Sequence, residues 1–295
     1  MTMEEWRRNI FRYHRTYEQQ ISFLKKDGML ITDYAQVSHH LKHIGLGALM
    51  PYLCYFWHND PEGKYLRSVS WNSVYSLYKF NDDLRLLLLQ ATGKVETTLL
   101  ELLAYYLEQS YGSYWHLKPT VFKYAESNKV YEDIWNFVQK RKKNEHHTFQ
   151  EAKIGMSLGM TYRIYSQLEN HSVKEIIASA MGMPPVQVFS SSIYAITNLR
   201  NCCAHPQRIW NKRFNIIPDE FYYTLTHTWL NNNMKVDRRR IYYLFCLLNY
   251  FMQVIDPDFG FVGRLCALLE QYKDVISFME MGFTDDWKEE PMWKI

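Results

Sequence analysis

"NDDLRLLLLQATGKVETTLLELLAYYLEQSYG" occupies residues 81–112. Within it Leu84, Leu87, Leu88, Ala91, Val95, Leu99, Leu102 and Tyr106 recur at steps of three and four, the period of one face of an α-helix. Asn81, Asp82 and Asp83 supply the capping oxygens and negative charge that suit a helix start. Gly112 suits its end. The spacing predicts one long helix over 81–112.

The same period continues on both sides. Ile10, Tyr17, Ile21 and Leu24 form a stripe that predicts a first helix over 4–26, stopped at Gly28. A second helix opens at Thr32 or Asp33 and ends before "GLGALMP" (45–51), and 57–71 reads as a loop. Further helices are predicted near 126–142, near 149–168 with interruptions at Gly155 and Gly159, and over Val186–Ala204 after Pro184 and Pro185. Asp237 is expected to cap a helix of about 19 residues that opens "RRRIYYLFCLLNYF", and a last one covers about 259–280. No stretch alternates as a strand does between turns, and no repeat, low-complexity tract or flexible linker stands out. The fold class is all-α, a helical bundle read as a single domain over 1–295.

Hydrophobic residues make up 47% and charged residues 22% of the 295, a balance that supports a packed core and argues against disorder. Aromatics reach 16%, more than a core needs, so some rings are expected on a binding surface. Five cysteines without a C-x-x-C spacing point to reduced thiols and a cytoplasmic address. The start, "MTMEEWRRNI", has no apolar signal core. The longest apolar stretch, 241–255, is too short to span a bilayer, so no membrane segment is expected.

Charge is uneven. The net charge is only +3, yet no Asp or Glu occurs between Glu175 and Asp219, a window holding Arg200, Arg208, Lys212 and Arg213. At its centre stands "LRNCCAHPQRIWNKRFN" (199–215). Asn201 and His205 are four apart and share a helix face, and the long Arg200 side chain can swing toward them. Pro206 disfavours helical geometry at His205, which places the imidazole at an exposed helix end. Histidine exchanges protons near neutral pH, and arginine clamps a phosphate through paired hydrogen bonds. RNA carries its own nucleophile, the 2′-hydroxyl beside each phosphate. A base, a cation and a proton donor therefore suffice to cleave it. The lack of local carboxylates argues against a two-metal nuclease. By spacing alone, a histidine that merely closes a helix and meets its dipole explains the stretch as well.

"LRNCCAHPQRIWNKRF" resembles the signature of the Abi-like (AbiD/AbiF-type) abortive-infection phage-resistance family. That family lies within the HEPN superfamily, whose ribonucleases share an Arg-x(4–6)-His motif. Arg200 and His205 match the motif, Asn201 matches the polar residue that follows the arginine, and Ala204 and "RIWN" to Arg213 match the narrower pattern. "QQISFLKKDGMLITD" (19–33), "YKFNDDLRLLLL…KVETTL" (78–99) and "MGFTDDWKEEPMW" (281–293) resemble the family's opening, first core helix and ending. The chain departs from the family at "HIGLGALMPY" (43–52) and "FQEAKIGMSLGM" (149–160).

The resemblance implies a HEPN-type helical bundle with an N-terminal helical part (about 1–70), a core (about 71–255) and a C-terminal helix and tail (256–295). It implies metal-independent endoribonuclease activity with no cofactor, and a homodimer that brings two motifs to one cleft. His205 would act as acid or base, Arg200 would stabilise the transition state, and Asn201 would orient the imidazole or hold a phosphate. It implies a toxin of phage defence restrained by an inhibitor, with a non-coding RNA as the leading expectation.

RNA contacts are expected from Arg208, Asn211, Lys212 and Arg213 beside the motif. Arg7, Arg8, Arg12 and Arg15 are added because they interleave with Trp6, Phe11, Tyr13, His14 and Tyr17. Lys140, Arg141, Lys142 and Lys143, in a second basic cluster, complete the set. Neither DNA nor a membrane is expected as a partner, and no metal is expected at Cys202, Cys203 and His205. Arg85 and Glu96 are expected to form a buried or interhelical polar pair. Two other readings stand beside the nuclease: a non-catalytic RNA-binding module, and a helical protein-interaction scaffold.

Overall fold

Capping sequences, more than apolar stripes, divide the N-terminal part into helices. The structure, a computed structural model, describes residues 1–58, 60–123, 129–139, 147–221, 229–230 and 236–294. Helix α1 is Met3–Tyr13 and α2 is Tyr17–Lys26, where one helix was expected. The break is chemical. The Thr16 hydroxyl accepts from the Gln19 N–H at 3.2 Å, and the Gln19 amide oxygen accepts from the Thr16 N–H at 3.2 Å. Such a reciprocal box opens a new helix. The apolar stripe hides the break because Ile10, Ile21 and Leu24 are buried on both sides of it, while Tyr17 is exposed. Gly28 does end α2, at φ +96°, and a Cβ there would stand 2.9 Å from the Arg67 Cα.

Asp33 caps α3 (Tyr34–His43), accepting from the Gln36 N–H at 2.9 Å. Helix α4 (Leu46–Phe56) was not expected, because Gly45, Gly47 and Pro51 read as breakers. Burial of Leu46, Leu49, Met50, Tyr52 and Leu53 offsets the backbone bond that Pro51 cannot donate. The long helix α5 spans Trp71–Tyr111, so it starts well before Asn81. Ser70 opens it by accepting from the Ser73 N–H at 3.0 Å. The presumed cap residues lie inside it: Asn81 is buried, and the Asp83 carboxylate accepts from Lys79 Nζ at 3.3 Å and the Tyr272 hydroxyl at 2.6 Å. Beyond Leu99 the core row continues through Leu103 and Leu107, not Leu102 and Tyr106, because it advances there by four.

The chain forms two units: residues 1–84 with 267–277, and residues 85–266 with 278–295. The first holds α1 to α4. The second holds α6 (Lys129–Gln139), α7 (Phe149–Ala152), α8 (Leu158–Gln167), α9 (His171–Ala180), α10 (Val186–Ala204), α11 (Ile241–Ile255) and, after α12 (Phe261–Gln271), α13 (Phe278–Met281). Both α5 and α12 contribute residues to each unit. The described residues form thirteen α-helices and no strand, so the fold is all-α.

In the second unit α10 packs against α8, α9 and α11. Every residue of α11 from Ile241 to Met252 is buried, as befits a helix that is apolar all round. Its polar exceptions are satisfied: Asn249 donates to the Met292 carbonyl at 2.9 Å, and the Tyr242 hydroxyl accepts from the Trp293 indole at 2.9 Å. Asp237 does not cap α11. Its carboxylate accepts from the Arg239 N–H in the preceding turn, and α11 opens at Ile241 without a side-chain cap. Gly155, at φ +74°, separates α7 from α8, whereas Gly159 is helical inside α8. Helix α9, also not expected, starts where the Asn170 side chain accepts from the Ser172 and Val173 N–H groups. The helix expected over 259–280 is broken after Gln271. No described helix is long and apolar enough to cross a membrane.

One buried group is expected to make this unit acid-sensitive. His116 lies among Trp115 and Phe149, with neither ring nitrogen hydrogen-bonded among the described residues, and burial pushes its pKa down to about 4. The folded state thus binds the proton less readily than the unfolded state. Stability is expected to fall as the pH drops from about 6.5 toward about 4, by up to about 3 kcal/mol at 1.36 kcal/mol per unit. Denaturant titrations across that range should show a shallower slope for His116→Phe. An unchanged slope would remove His116 as the cause.

Candidate functional site

The expected helix over Val186–Ala204 is present to the residue, bracketed by Pro185 as N-cap and His205 as C-cap. Phe189, Ile193, Ile196 and Cys203 face the core, and Val186 is half-buried. His205 takes an extended conformation (φ −105°, ψ 149°) as its position before Pro206 requires, and its side chain is exposed. The imidazole has no hydrogen-bond partner among the described residues. The His205 carbonyl accepts from the Gln207 N–H at 2.7 Å, which turns the chain sharply away from the helix.

Two residues of α5 reach this helix end. Arg85 Nε donates to the Cys203 carbonyl at 2.9 Å, satisfying one of the acceptors that a helix C-terminus leaves open. Glu96 sits elsewhere along the site: Oε2 lies 3.4 Å from Arg200 Nε, while Oε1 accepts from the Leu158 N–H at 2.8 Å, at the start of α8. Arg85 and Glu96 are therefore interhelical, as expected, but each serves α10 and they do not form a pair with one another. Arg200 also donates from Nη1 to the Asn201 side-chain oxygen at 3.4 Å. Its guanidinium is held from two sides and remains partly exposed.

The acid-free window does not make an acid-free site. Glu96 and Asp237 come from outside the window and meet two of its four cations; Arg213 Nη2 lies 3.5 Å from Asp237 Oδ2. A carboxylate that answers the α8 N–H and an arginine at once is already neutralised, so Glu96 positions Arg200 more than it repels an anion. Sequence spacing gives no sign of this contact, because the partners are far apart along the chain.

The exit from α10 is anchored by Ile209, Trp210 and Phe214, all buried. Between those anchors Arg208 is half-buried and Arg213 is exposed. Lys212 folds back, with Nζ 3.2 Å from Cys202 Sγ, 3.2 Å from the Gln207 side-chain oxygen and 5.6 Å over the Phe214 ring. Asn211 faces inward: its side-chain amide donates to Glu280 at 3.0 Å, and its backbone carbonyl accepts from Arg240 at 3.1 Å. Among "RRR" (238–240), Arg238 lies 3.4 Å from Glu220 and 2.7 Å from the Pro218 carbonyl.

The α1 cluster belongs to the first unit. Arg7, Arg8, Arg12 and Arg15 are exposed, with Arg8 bonded to Glu4 at 3.2 Å and the Arg12 guanidinium 5.5 Å from the Tyr13 ring centroid. Phe11, Tyr13 and Tyr17 are exposed beside them. Trp6 is not a surface ring: it is fully buried and donates to Asp27 at 2.7 Å. His14 lies against Phe23, at 4.5 Å between centroids. Lys140, Arg141, Lys142 and Lys143 lie outside the described residues.

The profile of a family described as Abi-like protein matches residues 39–211, a span that takes in Arg85, Glu96 and the whole helix end from Arg200 to Asn211. No curated protein and no solved structure matches the chain.

Proposed function

The chain belongs to the Abi-like protein family, and from that premise we propose that it is a metal-independent endoribonuclease of the HEPN type, acting as a toxin. The membership supports a role in abortive-infection phage defence in general. The observation that carries the finer reading is the end of α10. An exposed imidazole, with no hydrogen-bond partner among the described residues, stands five residues after a guanidinium that Glu96 and Asn201 hold in place.

In this reading the scissile phosphate sits on Arg200, which offsets the charge that grows on phosphorus. His205 takes the proton of the adjacent 2′-hydroxyl or gives one to the leaving 5′-oxygen. Asn201 contributes an amide to the phosphate or the imidazole. A second copy of the chain supplies the complementary acid or base across a composite cleft, so the active species is a homodimer. Arg208, Lys212 and Arg213 guide the RNA strand over the exit from α10, and Asn211 holds that exit through Glu280. The α1 arginines, with exposed Phe11 and Tyr13, add a second RNA-contacting surface. A non-coding RNA bound to these surfaces restrains the toxin.

Incubation of the purified chain with RNA in excess EDTA tests the reading. RNA is expected to be cut, and a 2′-O-methyl strand of the same sequence is expected to survive, since it lacks the nucleophile. Cleavage that requires added divalent metal, or that spares neither strand, would overturn it.

A further inference from the structure

The helix that His205 caps also carries one ring of an aromatic pair. Along α10 and its C-cap, Asn201 and His205 follow Tyr194 by seven and eleven residues, so at 100° per residue each lies within about 20° of the direction of Tyr194. The helical rise sets Tyr194 about 16 Å along the axis from His205. Tyr194 is 46% exposed. Its ring stacks on that of Tyr162 in α8, with centroids 5.2 Å apart and planes 19° from parallel. Tyr162 is half-buried and hydrogen-bonded to Ser190 of α10, and burial raises the pKa of its hydroxyl. One ring is therefore fixed and backs the other, which offers its outer face to solvent.

Around this pair α10 carries no acidic residue, and between Tyr194 and His205 its open face presents the amides of Asn198 and Asn201. An exposed aromatic face on an uncharged, amide-bearing surface suits a nucleobase, which stacks through its π-face and hydrogen-bonds through its edge. Arg200 near the C-terminal end of α10, and Arg208, Lys212 and Arg213 beyond it, suit the phosphates that accompany the base. We infer that Tyr194, backed by Tyr162, is a stacking platform for an unpaired base of the substrate, a few nucleotides from the phosphate at His205. The inference rests on the ribonuclease reading and narrows its substrate to single-stranded RNA, because a duplex hides its base faces from such a platform.

The test uses a fluorescently labelled 2′-O-methyl oligoadenylate, which binds but cannot be cut, so that binding is read apart from cleavage. Tyr194→Ala is expected to weaken binding roughly five- to hundred-fold, the range that loss of one base–aromatic stack produces, and Tyr194→Phe to restore it. Scanning one abasic nucleotide along the strand should find a position that weakens the wild type and leaves Tyr194→Ala unchanged. A duplex of the same sequence should not respond to the substitution. Wild-type affinity in Tyr194→Ala would overturn the platform, as would loss of self-association in place of RNA binding, which would assign the ring pair to a contact between copies. A wild type that binds with this pattern yet never cuts RNA would remove the ribonuclease and leave the platform. One that cuts RNA and ignores Tyr194→Ala would do the reverse.

Discussion

His205→Ala is expected to lower single-turnover RNA cleavage by about 10²–10⁴-fold, the usual contribution of one positioned acid or base. The loss should appear in the rate and not in RNA affinity, because Arg200 and the other cations proposed to meet phosphate are untouched. Stability should hardly move. The imidazole is exposed and makes no hydrogen bond among the described residues, and surface substitutions of that kind stay within about 0.5 kcal/mol. Denaturant unfolding run beside the kinetics checks both halves. An unfolding midpoint that drops with the rate would return His205 to the role of a helix-closing residue. An unchanged rate would move the reaction to another site.

Trp210→Ala is expected to do the opposite and cost about 3–5 kcal/mol of stability, the range for emptying a buried indole site. Trp210 is fully buried, as is Ile209, and with Phe214 they tie the chain down directly after the exposed turn at His205–Gln207. Without the indole the exit segment that carries Arg208, Lys212 and Arg213 loses its anchor. Cleavage should then fall in proportion to the folded fraction, and Trp210→Phe should recover much of the stability. Equilibrium unfolding of the three proteins measures this. If Trp210→Ala unfolded at the wild-type midpoint, the exit from α10 would not be held as described.

The two variants probe parts of the molecule that the sequence reveals unequally. Helix α10 was legible to its last residue because prolines mark both ends and the core positions between them keep helical period. The exposed corner at His205 followed from Pro206 alone. Helix α4 was hidden by Gly45, Gly47 and Pro51, whose local preferences lose to the burial of Leu49 and Leu53. Helix α5 was legible along its core row but not at its start, where the acids at 82 and 83 imitate a cap and Ser70 is the cap. The split between α1 and α2 was written in Thr16 and Gln19, a signal that the apolar stripe masked.

At the site the residue types were legible and the electrostatics were not. The window from 176 to 218 contains no acid, yet Glu96 stands against Arg200 and Asp237 against Arg213. Those contacts arise from helix packing, which linear charge counting does not contain. Asn211 shows the same limit: its neighbours in sequence suggested an RNA-facing amide, and its packing turns it to Glu280.

The most direct measurement is the chemistry of the cut ends. Attack by the 2′-hydroxyl leaves a 2′,3′-cyclic phosphate on one fragment and a 5′-hydroxyl on the other, since the nucleophile and the scissile phosphate belong to the same nucleotide. Mass spectrometry of fragments made by the wild-type chain in EDTA, with His205→Ala beside it, should find those ends in the first sample and none in the second. Fragments ending in 3′-hydroxyl and 5′-phosphate would mean that water or a metal-bound hydroxide attacked instead, and would contradict the assignment of Arg200 and His205.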